Sequence, residues 1–141
     1  MKLLEYAQPE GPAERSGGVP LRVLVIGATT DVLRRMWIRD LTAHGFNVEV
    51  AEGEGQALDH LREQACDVIL LDMVFQRGSA LVVSDYANFR RPEAKLIFVN
   101  SDDFLADGTI FRLCSNARAM IPAHSKPADV AAMVAYFGGA V

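Results

Sequence analysis

Short apolar runs alternate with stretches of helical period along most of this chain, and that alternation restricts its fold more than any other feature. The apolar runs fall at 23–26, 46–50, 67–72, 95–100 and 119–121, with "DVILLD" and "KLIFVN" the clearest. Between and after them, 31–43, 55–63, 80–89, 104–113 and 127–137 carry apolar residues at helical spacing. In the first of these, Leu33, Met36, Trp37 and Leu41 are expected to face inward. Strands that are apolar without interruption are covered on both faces. Five of them alternating with five helices predict an α/β, doubly wound, parallel sheet with helices on both sides. In such sheets ligands gather beyond the carboxyl ends of the strands. The loops at 27–30, 72–79 and 100–103 are therefore where chemistry is expected.

The 141 residues are enough for one domain with a sizeable core, and half of them are hydrophobic. Pro9, Gly11, Pro12, Gly17, Gly18 and Pro20 predict a flexible tail over 1–20, leaving 21–141 as the folded domain. The net charge of −4 argues against nucleic acid as a partner. The pairs Arg34/Arg35 and Arg90/Arg91 read as solvated helix faces or loops. Cys66 and Cys114 sit in apolar patterns, as small core residues in a reducing compartment. His44, His60 and His124 show no metal-ligand spacing. No run has the length of a membrane span and the N-terminus has no signal-peptide pattern, so a cytoplasmic protein without membrane contact is expected.

The stretch "VEVAEGEGQALDHLREQACDVILLDM", 48–73, resembles the receiver domain of two-component response regulators. The helix around Gly55-Gln56-Ala57-Leu58, Asp67 opening the third strand and Asp72 closing it carry the likeness, which extends over about 21–137. The resemblance implies a flavodoxin-like five-stranded sheet in the order 2-1-3-4-5. It also implies a site, and here the chain departs from the pattern. Asp72 stands at the phosphoacceptor position. Gly27 and Ala28 stand where an acidic pair would hold Mg²⁺, Asn100 where a Thr or Ser reads the phosphoryl group, and Ala123 where a lysine is expected. The switch aromatic of the fifth strand falls on Met120.

Phosphoryl transfer requires charge to be neutralised on three oxygens, commonly by a metal. One carboxylate is a poor site for Mg²⁺, so metal binding is expected to be weak or absent and no cofactor is predicted. Arg77 and Asp31 are the nearby residues that could substitute, the first as a cation, the second as a ligand, although Asp31 also suits a helix N-terminus. The chain is thus read as an atypical receiver, not an enzyme, that signals through protein contacts. Its expected partners are a histidine kinase or a downstream regulator. No further domain is expected within these 141 residues. Two alternatives stand beside this reading: a slow phosphoacceptor using Asp72, and a small nucleotide-binding protein using the Gly27 turn. The second is disfavoured because a dinucleotide turn needs several glycines and this loop has one.

The last helix offers a docking surface. Val130, Met133, Val134 and Phe137 form an apolar stripe suited to the core, and Ala128, Ala131, Ala132 and Ala135 form a second. A helix apolar on two sides is normally covered on both. The alanine stripe is therefore the candidate interface, for a partner or for a homodimer.

Overall fold

The computed structural model describes residues 19–27, 31–72, 80–100 and 117–139. Five strands, β1 (Arg22–Ile26), β2 (Asn47–Ala51), β3 (Val68–Asp72), β4 (Lys95–Asn100) and β5 (Ala117–Pro122), form one sheet in the order β2-β1-β3-β4-β5. Every pairing is parallel. Four helices are described: α1 (Val32–Ala43), α2 (Glu54–Glu63), α3 (Ala80–Arg90) and α4 (Pro127–Gly138). The predicted tail over 1–20 lies almost wholly outside the described residues, as do the helix over 104–113 and the positions Ala28, Arg77 and Cys114.

The period-two geometry of a strand divides the core into two layers. Leu24, Ile26, Ile69, Leu71, Leu96 and Phe98 point to one face, where Ala57 and Leu61 of α2 and Ala80, Val83 and Ala87 of α3 cover them. Val23, Val25, Val68, Leu70, Ile97 and Val99 point to the other, under Trp37 and Leu41 of α1 and Val130, Ala131 and Val134 of α4. Both faces of the three central strands are buried, which is why those strands read as unbroken apolar runs.

Three expectations need correction. Met36 is 39% exposed, because α1 turns Leu33, Trp37 and Leu41 to the core and takes Arg34 inward in place of Met36. Strand β5 starts at Ala117, two residues before its predicted start, because a register shift between Leu96 and Ile97 leaves Arg118 out of the pairing. Such a bulge places an exposed charge inside a strand and hides it from a pattern search. The Arg90/Arg91 pair is not simply solvated. Arg90 Nη2 donates to the Arg62 carbonyl at 2.8 Å and Arg91 Nε to the Leu61 carbonyl at 2.8 Å, so both satisfy carbonyls at the end of α2.

Candidate functional site

The register brings the expected positions together at the carboxyl edge of the sheet. Ile26 pairs with Leu71, so Gly27 and Asp72 follow side by side. Asp72 pairs with Val99, one residue before Asn100, and Asn100 pairs with Pro122, one residue before Ala123. Gly27 leaves β1 at φ 90°, with its N–H donating to the Ala51 carbonyl at 2.9 Å. A side chain there would strain the backbone by about 1–2 kcal/mol, so this turn favours glycine. Met120 is half-buried, opposite Phe98 and packed against the α2–α3 layer.

Asp72 is a buried carboxylate, 4% exposed, at the end of an otherwise apolar strand. A residue that sequence reasoning left in solvent stands beside it. Arg34, from the first turns of α1, is also 4% exposed, and its Nη2 lies 3.6 Å from Asp72 Oδ2. Its Nη1 donates to the Ala123 carbonyl at 2.8 Å, in the loop between β5 and α4. Its guanidinium carbon lies 4.3 Å from the centre of the Trp37 ring, a cation–π contact. Three residues along α1, Trp37 Nε1 donates to the Ser125 carbonyl at 2.8 Å, in the same loop. Helical spacing thus puts two donors from one face of α1 on two carbonyls of the β5–α4 loop. Arg34 Nε is buried and has no hydrogen-bond partner among the described residues. The signal available in the sequence was position: in an inward stripe containing Trp37 and Leu41, residue 34 lies one turn before 37 and two turns before 41.

Asp31, the first acid in the sequence after β1, is the N-cap of α1, and its Oδ1 accepts from the Arg34 backbone N–H at 3.1 Å. Gly27 has no side chain to offer. Among the described residues no group of three or more His, Cys, Asp or Glu side chains is placed to hold a metal ion.

On α4, Ala128 and Ala132 are exposed and Ala135 is half-buried. Ala131 is corrected: at 1% exposure it belongs to the core layer with Trp37 and Leu41 and cannot present a docking surface. α4 packs on α1 as well as on the sheet, so its buried arc is wider than one stripe. Tyr136, 70% exposed and one turn beyond Ala132, extends the exposed surface and was not foreseen. His124 and Lys126 are exposed. Among the described residues no helix is long and apolar enough to cross a membrane.

No protein-family model matches the sequence, and no curated protein matches it. Solved structures do match in fold. A response regulator receiver domain protein from Methanospirillum hungatei is 23% identical, covers 84% of this chain and 94% of its own, and superposes with a TM-score of 0.74. The response regulator TrrA from Thermotoga maritima, solved with Mg²⁺ and beryllium fluoride, is 18% identical over 83% of this chain and 98% of its own, with a TM-score of 0.71. A protein described as an adenylate cyclase from Rhodopirellula baltica is 15% identical over 84% of this chain and 87% of its own, also at 0.71. The architecture is therefore that of the receiver domains of response regulators, flavodoxin-like and in the strand order the resemblance implied.

Proposed function

We propose that this chain is a receiver-fold signalling protein that acts by binding other proteins, with little or no Mg²⁺-dependent phosphorylation. The observation that carries the reading is the use of Asp31. It is the one acid in the segment 27–31, and its carboxylate is engaged as the N-cap of α1, accepting from the Arg34 backbone N–H. Mg²⁺ gives up its water reluctantly and needs more than one carboxylate to hold it. Gly27 cannot supply one, and Asn100 and Met120 replace the groups that carry a phosphorylation signal outward in receivers. The partner is a signalling protein such as a histidine kinase or a downstream regulator, met through the exposed side of α4 at Ala128, Ala132, Ala135 and Tyr136. A second copy of the chain fits the same surface.

The test compares two variants in binding to a partner captured from native extract, with self-association read by sedimentation. Asp72→Ala retains binding. Ala132→Glu puts an unpaired charge into the contact and weakens binding at least about tenfold. Metal-dependent phosphoryl labelling of the natural chain would count for the slow phosphoacceptor instead.

A further inference from the structure

The buried pair Arg34–Asp72 does more than fill space. A guanidinium enclosed at 4% exposure, its Nε without a partner among the described residues, carries a desolvation cost that an apolar side chain of the same volume would avoid. What the arginine provides is connection. Its Nη2 faces the carboxylate at the end of β3, and its Nη1 holds the Ala123 carbonyl in the loop just after β5. The Trp37 ring lies against it, and the Trp37 indole holds the Ser125 carbonyl of the same loop. The loop so held leads directly into α4, whose N-cap is Lys126.

We infer that Arg34 is a tethered counter-cation, a positioning residue that ties Asp72 to the β5–α4 loop and holds the start of α4 in one conformation without metal or phosphoryl group. A bound Mg²⁺ is free to leave; a cation on a helix of the same chain is not. Asp72 is then an anchor for the loop before α4, while the exposed face of α4, which also packs on α1, is presented constantly. The inference rests on the proposed phosphorylation-independent function and gives it a cause.

The experiment is a double-mutant cycle on the full chain with Arg34→Met and Asp72→Asn, read by thermal unfolding and by the backbone amide resonances of 123–126. Arg34→Met takes the guanidinium from beside a buried carboxylate and lowers Tm by about 10 °C. Adding Asp72→Asn to it recovers more than half of that loss. In the natural background Asp72→Asn shifts the 123–126 amides; in the Arg34→Met background it leaves them in place. Additive Tm losses, or amide shifts equal in both backgrounds, would overturn the inference. If Arg34→Met does not fold, folding of the double variant supports the pairing, and failure of both overturns it. Phosphoryl labelling of the natural chain is a separate measurement. It can sink the proposed function while the cycle still finds coupling, and the cycle can fail while labelling stays absent.

Discussion

Single residues show how polar groups were fitted to an apolar sheet. Asp67 opens β3 and serves β1: its Oδ2 accepts from the Arg22 backbone N–H at 2.8 Å and from Arg22 Nε at 3.2 Å, and its Oδ1 from Nη2 at 3.2 Å. The hydrogen bond that the guanidinium donates to this carboxylate is the main reason Arg22 is held above its ordinary pKa. The Arg22 side chain is 42% exposed, so solvent screens much of the ion pair. Asp67→Ala is therefore expected to cost about 1–2 kcal/mol, mostly through the orphaned backbone N–H, measurable by urea unfolding. Cys66, one residue earlier, is 1% exposed, and burial pushes its thiol up to about 12. The raised folded value means this thiol contributes stability below about pH 9. The contribution declines as pH climbs toward 12, because the unfolded thiol ionises first. At pH 8 iodoacetamide should leave Cys66 unmodified in the folded chain and label it after denaturation, as peptide mass mapping would reveal.

At the scale of elements, α1 and α4 work as a pair. α4 begins with Pro127, whose fixed φ suits a first turn, and stops at Gly139, which takes φ 79°. Its last residue, Gly138, lies against the first core residue before β1. A Cβ built on Gly138 would meet Leu21 Cδ2 at 2.5 Å, and Leu21 is 2% exposed. Alanine favours a helix over glycine by about 1 kcal/mol, but overpacking of this kind costs about 1–3 kcal/mol. Gly138→Ala should therefore lower Tm slightly, whereas a rise would mean that Leu21 finds another rotamer. The same close packing explains why Ala131 left the proposed interface. Periodicity marks stripes on one helix, and the second helix that covers a stripe is not written in that helix's sequence.

For the molecule as a whole, the carboxyl edge of the sheet collects Gly27, Asp72, Asn100 and Ala123 by register, and Arg34 reaches them from α1. A ligand raises Tm only when its concentration is well above its Kd. Ten-millimolar Mg²⁺, roughly the upper end of what such sites meet, should shift the Tm of the natural chain by less than about 1 °C. A clear upward shift would show that a carboxylate besides Asp72 completes a metal site. An acid added to test the site belongs at Ala28, since Gly27 at φ 90° resists any side chain.

The sequence by itself determined the layering and the strand ends. Apolar runs bounded by Gly27, Asp72 and Asn100 encode strands covered on both faces, and helical spacing of Trp37, Leu41, Val130 and Val134 encodes what covers one of them. These are short-range periodic signals, legible without knowing which elements meet. Only the tertiary structure decided the roles of the charges. Arg34 and Asp72 are 38 positions apart and Arg34 and Ala123 are 89 apart, so no local pattern records their meeting. A charge next to Arg35 reads as solvated until a carboxylate and a carbonyl arrive from β3 and from the loop after β5, because an arginine is buried only where its partners are buried with it.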